Sequence, residues 1–292
     1  MHILFPLVLV ACTTGSKNRA LELINTPFGM FPSECVIEHP NGTMIEEFEG
    51  GVKATHADGT VKIYPLNEMC KEYFEKQKEA QLKSDKESPN GELMASYGPI
   101  SNTNSITSFS ADYTVPPNPV KFNDSTAFSY WIGLQDPGSP VPNPNTVLQP
   151  VLAYWGPNQT WSLEPWHCCI GGRVHSGSFI SGIQPENVAT GAIKKIDSMH
   201  YKVSFAWGEK ETSLITKIEK GAIFNWMLIL LEENGNELNC DLLPQGTMTF
   251  SNIQISDSTG TVMPAWSISD KNSCLDISTD VDSLTMHPPA NN

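Results

Sequence analysis

The stretch Val147-Leu148-Gln149-Pro150-Val151-Leu152 decides how this chain is read. Its aliphatic, partly β-branched composition favours an extended strand. Alternation puts Val147, Gln149 and Val151 on one face and Leu148, Pro150 and Leu152 on the other. Gln149 therefore shares its face with apolar neighbours, as on a half-buried concave surface rather than a wet one. Working outward, residues 105–115, 127–134, 146–155, 178–183, 188–196, 200–207, 214–218, 225–232, 247–256 and 262–269 all read as strands bounded by turn residues. Strand after strand with no helix between them predicts an all-β, antiparallel β-sandwich of jelly-roll, concanavalin A-like type.

Composition agrees. The 292 residues include 21 Gly and 22 Pro, with 39% hydrophobic and only 17% charged, which suits a turn-rich β protein. The formal charge is −14 and the 18 Lys and Arg are scattered, so a phosphate backbone would be repelled and nucleic-acid binding is excluded. All seven Trp fall between 131 and 266, as core or cleft-wall residues of the sandwich.

A smaller α+β region precedes the sandwich. His39-Pro40-Asn41-Gly42-Thr43 recurs as His56-Ala57-Asp58-Gly59-Thr60, and the Asn-Gly and Asp-Gly pairs predict the hairpins of a β meander. Residues 66–83 are good helix formers with mixed charges at i,i+4 spacing and predict a solvated helix. Residues 84–92 are polar and breaker-rich, so the division falls between residues 17–92 and 93–292.

At the extreme N-terminus, Ile3 to Ala11 is an apolar run followed by Thr13, Thr14, Gly15 and Ser16, which predicts a signal peptide over 1–16 and a secreted protein. The alternative is a lipid on Cys12. No segment reaches the roughly 18 apolar residues of a membrane helix. The other six cysteines, Cys35, Cys70, Cys168, Cys169, Cys240 and Cys274, predict disulfides in an oxidising compartment: Cys35 with Cys70, the other four in an open connectivity. A metal at His167-Cys168-Cys169 is disfavoured because adjacent ligands make poor tetrahedral geometry. Asn41, Asn123 and Asn158 are N-x-[ST] acceptors.

Catalytic templates mostly fail. G-x-S-x-G, H-E-x-x-H, a P-loop and G-x-G-x-x-G are all missing, His175-Ser176-Gly177-Ser178 reads as a turn, and no cofactor is called for. An ordered set of pieces remains: Ser129-Tyr130-Trp131-Ile132-Gly133-Leu134, Val147-Leu148-Gln149, Trp161-Ser162-Leu163-Glu164-Pro165-Trp166, Leu230-Leu231-Glu232-Glu233 and Gly246-Thr247-Met248-Thr249-Phe250-Ser251-Asn252. Together they resemble the eqolisin family of glutamic peptidases, whose fold is a concanavalin-type β-sandwich. The resemblance implies Gln149 and Glu232 as the catalytic pair, with Trp131, Glu164 and Trp166 lining the cleft. It implies a secreted, acid-acting, monomeric endopeptidase with a polypeptide substrate and no cofactor. A non-catalytic, carbohydrate-directed binding sandwich is the alternative. The resemblance also makes residues 17–92 a propeptide by position. Yet residues 20–92 hold seven Lys and no Arg against 14 Asp and Glu, so attraction between opposite charges does not hold such a segment to an acidic sandwich.

Overall fold

The computed structural model describes residues 22–84, 92–97, 105–122, 126–136, 147–218, 222–233, 240–270 and 274–288. The expected signal peptide, Cys12 and Asn123 lie outside these. The amino-terminal region forms β1 (Leu23–Thr26), β2 (Gly29–Pro32), β3 (Val36–Glu38), β4 (Thr43–Phe48), β5 (Gly51–Thr55), β6 (Val61–Pro65) and α1 (Glu68–Ser84). Next come β7 (Glu92–Tyr97), β8 (Ile106–Thr114), β9 (Ala127–Gln135), β10 (Val147–Trp155), β11 (Thr160–Ile170), β12 (Arg173–Ser176) and β13 (Ile180–Ile183). The chain closes with β14 (Val188–Lys195), β15 (His200–Trp207), β16 (Lys210–Lys217), β17 (Trp226–Glu233), β18 (Met248–Asp257), β19 (Gly260–Thr261), β20 (Ser267–Asp270), β21 (Asp276–Thr279) and β22 (Leu284–His287).

Two sheets make the sandwich. The front sheet runs β20-β7-β17-β9-β10-β11-β12-β3, with β13 beside β11. The back sheet runs β21-β22-β18-β8-β14-β15-β16-β4-β5-β6, with β19 beside β18. Between them lies the main core. Even-numbered residues of β9 (Phe128, Tyr130, Ile132, Leu134) and odd-numbered residues of β17 (Met227, Ile229, Leu231) meet Phe109, Tyr113, Phe205 and Phe250 of the back sheet. Tyr113 sits edge-on to both Phe205 and Phe250.

The other face of the front sheet carries a second apolar cluster, in which Trp131, Val151, Ala153, Trp166, Leu228 and Leu230 pack with Phe31, Cys35, Cys70 and Phe74 of the amino-terminal region. The amino-terminal region thus lies over that face. It is also built into the sandwich, because β3 pairs in parallel with β12 and β4 in parallel with β16. The division expected at 92/93 is therefore bridged at two sheet edges. Parallel edge pairing needs no turn, so nothing in the local sequence announces it. The turn between β11 and β12 fits closely under α1: at Gly172, with φ +73°, a Cβ would come 2.9 Å from the Lys71 Cα.

Three disulfides close the structure: Cys35–Cys70, Cys168–Cys169 and Cys240–Cys274. Among the described residues none joins the amino-terminal region to the sandwich. Several local expectations are corrected. Asn41-Gly42 makes no hairpin, because β3 and β4 lie in different sheets, and α1 is not a solvated helix but buries Cys70 and Phe74 against the front face. His175 and Ser176 are not in a turn but in β12, and the longest strand, β11 with 11 residues, was not anticipated. In β11 the polar residues Ser162, Glu164 and His167, together with Pro165, break the alternation that marks a strand, yet all are buried, Ser162 and Glu164 on the front face and His167 on the opposite one, against Thr216 of the back sheet.

Pro150 lies mid-sheet and has no N–H for its ladder. The hydroxyl of Tyr113, reaching across from the back sheet, fills the gap by accepting from Ile132 N at 2.9 Å and donating to Pro150 O at 2.9 Å. Tyr113→Phe leaves a buried N–H and a buried C=O unpaired, and we expect it to cost about 1–3 kcal/mol, read as a lower chemical-unfolding midpoint with the slope unchanged.

Candidate functional site

The residues singled out by the sequence fall on one surface. Register places Trp131 beside Val151 on β10 and beside Leu230 on β17, Gln149 opposite Trp166 on β11, and Val151 opposite Glu164. Glu232 lies opposite Ser129, two residues from Trp131 and on the same side. Gln149, Trp131, Glu164, Trp166 and Glu232 therefore all point away from the back sheet.

Trp131 organises one half of this surface. Its indole N–H donates to Glu232 Oε2 at 2.7 Å. The ring lies along its own strand, and a Cβ on Gly133 would fall 2.5 Å from the Trp131 ring. The glycine of Trp131-Ile132-Gly133 is the room the indole needs. On the other half, Glu164 is wholly buried and accepts from Trp155 Nε1 at 2.8 Å, Trp166 Nε1 at 2.9 Å and the Ser162 hydroxyl. Burial nevertheless pushes its carboxyl above the usual range, against the pull of those three donors, and Glu38 adds to the rise. Trp155 and Ser162 were not anticipated; they lie on the Glu164 face at alternating positions of β10 and β11.

Gln149 is only 1% exposed, and its Oε1 has no hydrogen-bond partner. An amide left in that state costs about 1–3 kcal/mol, which marks a polar group kept for something other than stability. A solvent-face glutamine, the bland alternative for this position, does not fit that burial.

The structure does not bring Gln149 and Glu232 together. Continuing the ladder from Leu148↔Leu134 sets Gln149 at the level of Gly133, whereas Glu232 is at Ser129. The two backbones are offset by about 13 Å along the strands and about 10 Å across them. In this form Glu232 is held by the Trp131 indole, whose ring reaches back toward Gly133 and so stands between the two. At the levels of Gly133 and Trp131, β17 offers Leu228 and Leu230.

Access to the Trp166 side is closed as well, while Glu232 stays partly exposed. Phe28, in the β1–β2 turn, packs edge-on against Trp166 with centroids 6.4 Å apart, and Phe31 packs on Tyr73 of α1 at 5.7 Å. The sulfurs of Cys168 and Cys169 are joined to each other, so they offer no thiolates beside His167. Among the described residues no cluster is placed to hold a metal ion, and no helix is long and apolar enough to cross a membrane.

What the fold and this surface define is a β-sandwich with a buried Gln, Trp and Glu face. The chain is similar in structure to scytalido-glutamic peptidase bound to a peptide-based transition state analog, at 13% identity over 68% of this chain and 98% of that one, with a TM-score of 0.46. It is similar also to SCP-B, a member of the eqolisin family in complex with the tripeptide Ala-Ile-His, at 14% identity over the same shares and a TM-score of 0.46. No family model and no curated protein matches the sequence. At that identity and TM-score the likeness assigns no residue a role.

Replacing Glu164 by Leu strands two indole N–H groups and a hydroxyl. We expect a loss of at least about 2 kcal/mol in stability and a shift in tryptophan fluorescence, with Glu164→Gln closer to wild type because its carbonyl still accepts.

Proposed function

We propose that the front face is a polypeptide cleft and that the protein is a secreted glutamic-type endopeptidase acting in acid, held here in a covered form. The observation that carries this reading is a buried amide with an unpaired oxygen, Gln149, on the same face as the Trp131–Glu232 pair. In the open form, Glu232 takes a proton from water as general base and returns it to the leaving amine. Gln149 turns its N–H groups to the developing oxyanion, a contribution of about 2.7 to 4 kcal/mol for a preorganised donor. Trp131, Glu164 and Trp166 shape the cleft. For this to happen Glu232 must leave the Trp131 indole and the front sheet must close the offset between β10 and β17, so on this reading uncovering also reshapes the sheet.

The amino-terminal region is, on this reading, the cover. Because none of the three disulfides ties it to the sandwich, one cut in residues 84–92 leaves it held by strand pairing and packing alone.

A second reading has its own observation in favour. The offset of Glu232 from Gln149, with Leu228 and Leu230 at the intervening levels, suits a sandwich that binds without cleaving.

The test is degradation of an acid-denatured protein at about pH 3 to 5, bracketing the free glutamate value, by the full chain nicked in residues 84–92. We expect cleavage, reduced at least about 100-fold by Gln149→Ala and abolished by Glu232→Gln, with the fold of both variants unchanged. Absence of cleavage by the nicked wild type, with retention of the denatured substrate on the protein, would establish the second reading instead. For glycosylation, Asn158 is exposed in its turn while Asn41 Nδ2 is already engaged, donating to Glu211 O at 2.9 Å. In a glycosylating host, mass spectrometry is expected to find the glycan on Asn158 and not on Asn41.

A further inference from the structure

The amino-terminal chain crosses from the front sheet to the back sheet at one place, between β3 and β4, and His39 sits there. Its N–H bonds to Ser176 O at 2.9 Å and its C=O accepts from the Ser178 hydroxyl at 3.2 Å, so the crossing is pinned to β12 and to the loop beyond it. Its ring is buried and stacks on that of His175, centroids 5.2 Å apart and planes 9° from parallel. His39 Nε2 and His175 Nδ1 face each other at 2.9 Å. His56, from the β5–β6 turn, lies 6.5 Å from His39, ring to ring. His167, on β11, bonds to the Thr216 hydroxyl of β16 at 2.7 Å.

These contacts suit neutral imidazoles only. With His175 Nε2 donating to Ile170 O at 3.3 Å, its Nδ1 must accept, so His39 Nε2 donates. His39 Nδ1 is then a bare, buried nitrogen with no partner, and His56 Nε2 and His167 Nε2 are likewise buried with no partner. A second proton on His175 would set two N–H groups against each other, and one on His39 would bury a cation with no acceptor.

We propose that His39 and His175, flanked by His56 and His167, form an acid-released latch: their protonation parts β3 from β12 and β4 from β16 and lifts the amino-terminal region off the front face. The proposal extends the covered-form reading of the preceding section.

The charges around the latch do not compensate a proton. Lys62 and Tyr64 of β6, Arg173 of β12, His56 and His167 surround the pair. The nearby carboxylates Glu34, Glu38 and Asp58 are exposed. Burial, then His56 and Lys62, push His39 down to about 4. Burial pushes His167 down to about 3. Burial, then His39 and His167, hold His175 well below the usual range. A lowered histidine binds its proton more readily when released, so the latch is complete above the free value of about 6.5 and weakens as pH falls from there toward 4. A second tie across the β4–β16 seam, Glu46 to Lys217 at 3.2 Å, fails lower down. Burial raises Glu46, but the hydrogen bonds from Lys217 and Lys53 prevail and hold it below the usual carboxylate range, so this pair is present above about 4.5 and lost beneath it.

Amide hydrogen exchange of the intact chain, corrected for intrinsic rates, tests the latch with no reference to catalysis, so failure of the peptidase reading leaves its result standing. In the wild type, exchange in β3, β4 and β12 is expected to rise more than about tenfold between pH 6.5 and 4.5, up to about tenfold per pH unit for each histidine, while β9, β10 and β17 stay protected. The His39→Gln/His175→Gln variant keeps a neutral donor and acceptor at each position and is expected to flatten that rise to less than about threefold. An equally steep rise in the variant overturns the proposal. If the variant does not fold at pH 7.5, the wild type decides: protection of β3 and β4 down to pH 4, or loss of β9 and β10 in step with them, overturns it.

Discussion

An apolar sheet face must be covered, and that constraint shapes this molecule. The front sheet has one face against the back sheet and another, bearing Trp131, Val151, Trp166, Leu228 and Leu230, that would otherwise meet water. At about 25 cal/mol per Å² of apolar surface, leaving these side chains wet would cost several kcal/mol. Phe31, Phe74 and the Cys35–Cys70 bridge supply the cover, and Phe28 adds an edge against Trp166. The same packing that stabilises the fold closes the surface on which chemistry would take place.

Apart from the connecting chain, cover and sandwich are joined by backbone pairing at two sheet edges and by a knot of buried histidines, with no disulfide between them among the described residues. Such a joint is strong when its imidazoles are neutral and loses strength as they charge. On the proposed acid-acting reading, such a cover holds during synthesis at higher pH and lets go in acid. The strongly acidic composition is compatible with that reading, since self-repulsion falls as carboxylates become protonated.

Much of this was legible in the chain. Alternation in β8, β9, β10 and β14 to β18, with turn residues between, gave the sandwich, and the Asp58-Gly59 pair gave the β5–β6 hairpin, whereas Asn41-Gly42 marks the crossing from β3 to β4 rather than a hairpin. Gln149 was readable as half-buried from its apolar strand neighbours. What escaped was long-range. β11 did not read as a strand because Ser162, Glu164, Pro165 and His167 carry no period of two. The parallel seams β3–β12 and β4–β16 have no turn to betray them. The offset between Gln149 and Glu232 is a matter of register, set by the pairing of β17 and β10 with β9. His39 and His56 were visible only as the first residues of a repeated pentapeptide; that equivalence was the one hint that the fold would set them side by side.

The account stands on the amino-terminal region being a non-covalent cover released by acid. The most direct measurement is native mass spectrometry of the chain nicked in residues 84–92, taken at pH 7.5 and again at pH 4. The account predicts one complex at pH 7.5 and, at pH 4, a free amino-terminal piece with its Cys35–Cys70 bridge intact beside a folded sandwich. A complex that persists at pH 4, or a sandwich that unfolds as the piece departs, would contradict it.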